Sequence, residues 1–240
     1  MFILLMSLLL VTFDIDGTLI KTIANKNPHT HAMADAFEKH NVPIDKNHFC
    51  SVSYSGQSDY FIAKKYFDQS NMEFNDEIYQ KFCQTASENF ASLMEDSSFK
   101  VLEGVRTVLE DLFQKNGVMI CICSGNIPGI GEQKLKAADL WKYFEGKING
   151  FGVCEERACI LRSVIDGVKD KFGDISSIIH IGDARQDVEA AFANNAKAVY
   201  VKTGAKNYNP DDDSVITIED MRDGHDAIFN LVEMINKNTD

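Results

Sequence analysis

The sequence predicts an α/β fold in which a parallel sheet, covered by helices on both faces, is interrupted after its first strand by an all-helical insert. Leu8–Phe13 is continuously apolar, as expected of a buried parallel strand. From Val101 onward, short apolar strands alternate with amphipathic helices, whereas the segment between Ile20 and Val101 shows only helical spacing. These observations assign residues 1–19 and 101–240 to a core and residues 20–100 to the insert.

The elements follow from where the apolar residues recur. Three helical stretches of the insert are marked by Met33, Ala36 and Phe37, by Phe61 and Phe67, and by Ile78, Phe82, Phe90 and Leu93. In the core, Val105, Val108, Leu109 and Leu112 mark a helix. The further predicted strands are 118–123, 147–151, 177–181 and 198–201, and the further predicted helices are 131–140, 157–171, 185–194 and 223–236.

The bulk composition indicates a globular protein and argues against nucleic acids as partners. The chain has 240 residues, 45% hydrophobic and 25% charged, with a net charge of -12. Nucleic-acid binding is not expected, because it requires clustered Lys and Arg. A small anionic substrate stays compatible with this charge if a metal ion and a few fixed cations act locally. No oligomeric state follows from the sequence.

The cysteines and the apolar N-terminus bear on location. Six cysteines occur without a CxxC pair, and a chain of this length needs no disulfides, so we expect reduced thiols and a cytoplasmic protein. Residues 1–13 are almost wholly apolar, but no positive charge precedes them, no small-residue cleavage site follows, and the run is too short to span a bilayer. We expect no membrane association, and residues 1–7 are interpreted as an extension without an assigned role.

The first candidate motif is the sequence DIDGT at 14–18, at the carboxyl end of the first strand, where open α/β sheets bind ligands. Side chains two apart on an extended segment point the same way, so Asp14 and Asp16 can face one ligand. Together they supply a carboxylate nucleophile and a proton-transferring carboxyl group, as phosphoryl transfer requires. A pair of turn-forming aspartates is the alternative.

Two further motifs follow later strands. Ser124, Gly125 and Asn126 end the strand 118–123, and their hydroxyl and free backbone amides can hold phosphate oxygens, although such turns are also common connections. Arg157 opens a helix and can neutralise a phosphoryl group. The competing cations for this role are Arg162, Lys169 and Lys171.

The fourth motif is GDARQD at 182–187, again at a strand end. Asp183 offers the hard oxygen donor that Mg²⁺ prefers, and Mg²⁺ needs only one or two carboxylates because it keeps several waters. Asp187 is expected to act behind the ligands by orienting a water bound to the metal. The alternative for Asp187 is an acidic residue that favours the first turn of a helix.

In this order, DxDGT at 14–18, SGN at 124–126, Arg157 and GDxxxD at 182–187 resemble the four signatures of the haloacid dehalogenase (HAD) superfamily. The resemblance covers essentially the whole chain. It implies a Rossmann-like core whose insert after strand 1 is a mobile cap over the substrate. The sequence SGQSD at 55–59 is similar to a turn in the caps of phosphoglycolate-phosphatase-like members.

The resemblance implies a magnesium-dependent phosphatase that acts on a small phosphorylated metabolite. It makes Asp14 the nucleophile and Asp16 the acid and base, with Mg²⁺ held by Asp14, Asp183 and the main-chain carbonyl of Asp16. Ser124, Gly125, Asn126 and Arg157 would bind the phosphoryl oxygens.

Other functions on the same fold remain open. Dehalogenation is disfavoured because it needs no second carboxylate like Asp16. A phosphoglucomutase-like transferase differs in what attacks the phospho-enzyme, and a catalytically silent binding protein keeps only the fold. Candidate substrate contacts from the insert are His29, His31, Lys64 and Lys65.

Overall fold

The computed structural model describes residues 8–95 and 98–237, and it contains a five-stranded parallel sheet. Its strands are β1 (Leu8–Phe13), β4 (Val118–Ile122), β5 (Ile175–Gly182), β6 (Lys197–Val201) and β7 (Ile216–Ile218), while β2 and β3 lie at the ends of the insert described below. The strand order is β4-β1-β5-β6-β7, so the first strand of the chain lies between β4 and β5. The motifs at 14–18, 124–126 and 182–187 therefore follow three neighbouring strands.

Two apolar layers cover the sheet because successive side chains of a strand point to opposite faces. Leu9, Val11 and Phe13 of β1 join one buried cluster, and Leu10 joins the other. The first face is covered by α5 (Val105–Gln114), α6 (Pro128–Ala137) and α9 (His225–Lys237), and the second by α7 (Arg157–Phe172) and α8 (Arg185–Ala193). This double coverage explains why β1 is apolar at nearly every position.

The insert is helical, as predicted, and it leaves and rejoins the core through a short antiparallel pair. Strand β2 (Ile20–Thr22) pairs with β3 (Phe99–Val101). Between them lie α1 (Pro28–Lys39), α2 (Lys46–Ser51), α3 (Asp59–Gln69) and α4 (Asp76–Leu93). The predicted three stretches correspond to α1, α3 and α4. Phe37 of α1 contacts the rings of Phe49, Phe67 and Phe82, which makes an aromatic core within the insert.

The predicted strand at 147–151 is wrong. Only a single bridge joins Gly150 to Cys123, and the side chain of Asn149 accepts the backbone N–H of Ile122 where a strand would offer a carbonyl. A Cβ on Gly150 would lie 2.5 Å from Val164 Cγ2, so glycine here lets α7 pack closely. The short strand β7 and helix α2 were absent from the sequence prediction.

The expectation of six reduced thiols is also wrong. Cys154 and Cys159 form a disulfide that spans the start of α7, while Cys50, Cys83, Cys121 and Cys123 are free. The short separation and the helical turn bring the two sulfurs together, which the spacing alone did not indicate. Among the described helices, none has both the length and the apolar character that a membrane span requires. Residues 1–7, interpreted above as an extension, lie outside the described residues.

Candidate active site

The carboxyl ends of β1, β4 and β5 open into a cavity of about 370 Å³ that the helical insert faces from the other side. Core residues that line it include Asp14, Asp16, Gly125, Asn126, Lys134, Arg157 and Asp183. Insert residues that line it include Asn27, His29, Met33, Tyr54 and Gln57. The cavity thus lies where the sequence motifs predicted a ligand site.

Three buried carboxylates, those of Asp14, Asp183 and Asp187, form a cluster at the base of the cavity. One oxygen of each lies within 4.8 Å of the others. Burial raises the pKa of Asp14, against the opposing charge of Arg157. Burial and the charges of Asp14 and Asp187 raise the pKa of Asp183 to about 9. The cluster therefore concentrates more negative charge than the protein itself neutralises.

Arg157 is the main cation within this cluster. It is buried at the start of α7, with Nη1 2.8 Å from Asp14 Oδ1 and 3.0 Å from Asp187 Oδ1. Its pKa is raised, because these charges outweigh the cost of burial. Of the competing cations, Arg162 binds a carbonyl at the surface, and Lys169 and Lys171 are exposed. The structure thus brings Arg157, among the four, to Asp14.

Asp187 holds Arg157 rather than facing the cavity. It does not line the cavity; its Oδ1 accepts from Arg157, and its Oδ2 accepts the backbone N–H of Ala184 at 3.0 Å. Burial alone would raise the pKa of Asp187. The charge of Arg157 and the contact with His180 have the larger, opposite effect, so the pKa lies below its ordinary value. His180 in turn lies 2.8 Å from Thr12 Oγ1. The sequence alone did not indicate that His180 and Thr12 support Asp187.

The residues around Asp14 and Asp183 fit a divalent cation. Asp14 Oδ1 is buried, and apart from its ion pair with Arg157 it has no hydrogen-bond partner among the described residues. The backbone comes close to Asp183, since a Cβ added to Gly17 or Gly204 would lie 2.4 or 2.1 Å from its Oδ2. Thr18 donates to the other oxygen of Asp183 at 3.1 Å. A hard cation among these oxygens would neutralise the charge that raises the pKa of Asp183.

Asp16 lies apart from this cluster, and its carboxyl group points toward a different set of partners. Its Oδ2 accepts from Lys134 Nζ at 2.6 Å and from Asn126 Nδ2 at 2.9 Å. Burial raises the pKa of Asp16, but the positive charge of Lys134 and these hydrogen bonds bring it below its ordinary value. The two aspartates of the DIDGT motif thus have different environments.

The predicted phosphate-binding residues take up different positions. Gly125 and Asn126 line the cavity, whereas Ser124 is fully buried and its Oγ accepts from Asn126 Nδ2 at 2.8 Å. Asn126 is engaged with Asp16. Gly125 contacts the insert, since its carbonyl accepts the N–H of Asp59 at 2.8 Å.

Of the insert candidates, the structure brings His29 into the cavity. His31 binds the carbonyl of Asn27, Lys64 pairs with Glu155 at the surface, and Lys65 is exposed. Lys134 was missed by the sequence analysis although a signal existed. It falls on the face of α6 that Ile130, Gly131 and Leu135 bury, where a lysine is rare unless paired.

Comparison with known proteins agrees with this geometry. A family model for haloacid dehalogenase-like hydrolases matches residues 8–195. No curated protein sequence is significantly similar to the chain. A hydrolase from Pseudomonas syringae is similar in structure, with a TM-score of 0.62 and 20% identity over 92% of this chain and 98% of that one.

Two further solved structures are similar over most of their length. A predicted phosphoglycolate phosphatase from Haemophilus somnus has a TM-score of 0.59 and 18% identity, over 96% of this chain and 100% of that one. CbbY from Rhodobacter sphaeroides, in complex with phosphate, has a TM-score of 0.64 and 12% identity, over 90% and 95%. With the family match, the ordered motifs and the α/β core that carries a helical insert, the chain belongs to the haloacid dehalogenase-like hydrolase family.

Proposed function

We propose that the protein is a magnesium-dependent phosphatase that hydrolyses small phosphorylated metabolites through a phospho-enzyme on Asp14. The observation that carries the proposal is the separation of the two motif aspartates. Asp14 lies among buried carboxylates beside Arg157, and Asp16 is held by Lys134 and Asn126 on another side of the same cavity. This separation supports assigning attack on phosphorus to Asp14 and proton transfer to Asp16.

The proposed Mg²⁺ site consists of the carboxylates of Asp14 and Asp183 and the main-chain carbonyl of Asp16. When bound there, Mg²⁺ supplies positive charge that neutralises the carboxylates and the phosphoryl oxygens. Asp187 keeps Arg157 in place and, in this proposal, orients a water at the site. Arg157, Ser124, Gly125 and Asn126 hold the phosphoryl group, of which Arg157 supplies the charge.

The reaction has two steps. A carboxylate oxygen of Asp14 attacks phosphorus, and the bond from phosphorus to the ester oxygen breaks. The negative charge of the bound ester opposes the effect of Lys134 and raises the pKa of Asp16, so that Asp16 carries a proton in the complex and gives it to the leaving oxygen. Asp16, now a carboxylate, accepts a proton from water, which attacks the phosphorus of the phospho-aspartate. The bond from phosphorus to the Asp14 oxygen breaks, inorganic phosphate leaves, and both aspartates return to their starting states.

The insert, residues 20–100, is proposed to be a cap that closes over the substrate, with 1–19 and 101–240 as the catalytic core. The cavity of about 370 Å³ favours a small phosphate ester. The similarity to the Haemophilus somnus protein supports a phosphoglycolate-phosphatase-like activity. A cytoplasmic location, expected above from six reduced cysteines, stays a prediction. Four of the cysteines are free, whereas the Cys154–Cys159 disulfide opposes this location, and cell fractionation would test it.

The test is release of inorganic phosphate from p-nitrophenyl phosphate and a panel of small phosphate esters, with and without Mg²⁺. We expect Mg²⁺-dependent turnover in the wild type and none in Asp14→Asn. The matched control is Asp213→Asn, because Asp213 is exposed in a turn and does not line the cavity. Phosphate transferred to a sugar would instead favour the phosphoglucomutase-like function, and no turnover of any ester would favour a binding protein.

A further inference from the structure

Lys134 is the most completely buried charged side chain of the cavity, with 1% of its side chain exposed. A lysine ammonium has three donors and no acceptor. Here three acceptors surround Nζ: Asp16 Oδ2 at 2.6 Å, Asn126 Oδ1 at 2.7 Å and His29 Nδ1 at 3.0 Å. All three donors therefore have partners, which is the condition under which a buried ammonium is tolerated.

These contacts fix one oxygen of Asp16 and leave the other available. Asp16 Oδ2 accepts from both Lys134 and Asn126, and Asn126 itself accepts from Lys134, which closes a three-membered hydrogen-bond ring. Within the described part of the chain, Asp16 Oδ1 has no hydrogen-bond partner. The ring thus sets the rotation of the carboxyl group and presents Oδ1 for proton transfer.

The third partner of Lys134 belongs to the insert. Because Lys134 can only donate, Nδ1 of His29 accepts, and Nε2 is the nitrogen that donates to Asp59 Oδ2 at 2.8 Å. Asp59 also accepts the backbone N–H of Ile127 at 2.6 Å, and its own N–H donates to Gly125. The insert therefore completes the hydrogen bonding of Lys134 only when it is seated on the core.

We propose that Lys134 is a positioning residue that holds Asp16 for proton transfer to the leaving group, and that seating of the insert through His29 completes this arrangement. The inference rests on the phosphatase function proposed above and adds a residue outside the four motifs. Lys134 does not touch the phosphoryl group in this scheme. Its effect passes entirely through Asp16.

The test compares substrates that differ in their need for an acid. The p-nitrophenolate group leaves without a proton, whereas an alkyl alcohol needs one, so only the alkyl ester depends on Asp16 in the first step. For Lys134→Met we expect kcat/KM on an alkyl phosphate to fall about 10- to 100-fold, which is a partial loss of the roughly 10²- to 10⁴-fold that general acid catalysis contributes. We expect kcat/KM on p-nitrophenyl phosphate to change less than about threefold.

The separate values of kcat and KM on p-nitrophenyl phosphate provide a second test. Water activation by Asp16 is common to both substrates, so kcat on p-nitrophenyl phosphate should fall together with KM in Lys134→Met. The control is Lys136→Met, on the same helix, whose side chain is exposed and pairs with Glu132. Lys136→Met should leave kcat and KM unchanged on both substrates.

A double-mutant cycle separates positioning from a structural role. If Lys134 acts through Asp16, adding Lys134→Met to Asp16→Asn should cost little further activity on the alkyl ester. Equal losses on both esters, or full additivity in the cycle, would overturn the inference. Thermal unfolding of each variant checks that it is folded. A wild type without activity on either ester would instead contradict the phosphatase proposal.

Discussion

At the scale of single residues, the carboxylates of Asp14, Asp183 and Asp187 lie closer together than their charges favour. Asp183 carries the clearest consequence, because its pKa rises from 3.8 to about 9 in the folded chain. Between those two values the folded state binds more protons than the unfolded state. The contribution of Asp183 to the stability of the metal-free protein therefore falls as pH rises through that window.

Asp183→Asn should remove this dependence. We expect metal-free wild type to show a falling Tm from about pH 4 to about pH 9, and Asp183→Asn to have a flatter profile and a higher Tm at pH 8. For a chain of this size each kcal/mol relieved corresponds to roughly 2–4 °C. Added Mg²⁺ should raise the Tm of the wild type at pH 8 far more than that of Asp183→Asn.

Differential scanning fluorimetry across pH, with chelator or Mg²⁺, makes this comparison. Asp213→Asn serves as the control, since the exposed Asp213 should leave the profile of the wild type unchanged. A Tm of metal-free wild type that rises steadily from pH 5 to pH 9 would contradict the account of Asp183.

The same scale shows what sequence can predict about the site. The sequence was sufficient to predict four site residues, because each one directly follows or begins an element whose end the apolar pattern locates. They are Asp14, Asp16, Asp183 and Arg157. The sequence did not predict Lys134, because its role depends on contacts with Asp16 and Asn126, which follow other strands and come close to Lys134 only in the folded protein. A single lysine on an apolar helix face indicates a buried partner, but the partner is visible only in three dimensions.

At the scale of elements, the loop after β4 is the surface on which the insert rests. A Cβ on Gly125 would lie 2.8 Å from the carbonyl oxygen of Gln57 and 2.9 Å from Ser58 Cα, both backbone atoms of the insert. The insert would have to move away to accept a methyl group. Its contacts to the cavity through Asp59 and His29 would move with it.

Gly125→Ala is therefore expected to lower kcat/KM on a small phosphate ester by about tenfold or more, since a displacement near 1 Å is sufficient for losses of that order. The Tm should fall as well, because overpacking against backbone atoms typically costs about 1–3 kcal/mol even where no positive φ is lost. Steady-state kinetics and thermal unfolding together measure both quantities.

Gly146→Ala is the control, because it destabilises the protein at a residue that does not line the cavity. Gly146 has a φ of 72° and no atom within 4 Å of an added Cβ. The substitution should cost about 1–2 kcal/mol of stability through backbone strain and leave kcat/KM unchanged. If Gly125→Ala also retained full kcat/KM, activity would not depend on the contact between the insert and this loop.

The elements also show where periodicity is sufficient. The bounds of β1 and the presence of α1, α3, α4, α7 and α8 follow from apolar spacing. The false strand at 147–151 had the right composition, but Asn149 and Gly150 serve Ile122 and α7 instead of a ladder. Strand β7, three residues long, is too short for a pattern to emerge.

At the scale of the whole molecule, a net charge of -12 surrounds a site meant for an anion. The general field repels a phosphate ester, while Arg157 and a bound cation attract it at short range. Salt shortens the reach of the general field from about 30 Å at 0.01 M to about 8 Å at 0.15 M and affects the buried contacts much less.

Added salt should therefore help rather than hinder substrate capture. We expect kcat/KM for a doubly charged ester to rise about twofold between 10 and 150 mM NaCl at constant free Mg²⁺, with little change in kcat. An uncharged osmolyte at matched osmolarity is the control. A marked fall in kcat/KM with NaCl would mean that exposed cations near the cavity dominate capture.

The pairing of β2 with β3 has a consequence for how such proteins diversify. Ile20 lies opposite Val101 and Thr22 opposite Phe99, so the two connections to the insert are adjacent strands, about 5 Å apart. In the sequence, the strands of the five-stranded sheet and the four motifs lie on either side of this pair. A folded unit whose ends meet at that spacing could replace the insert, and it would keep the arrangement of Asp16 if it also offered Lys134 an acceptor in place of His29. The pair thus marks the position at which substrate preference can be exchanged.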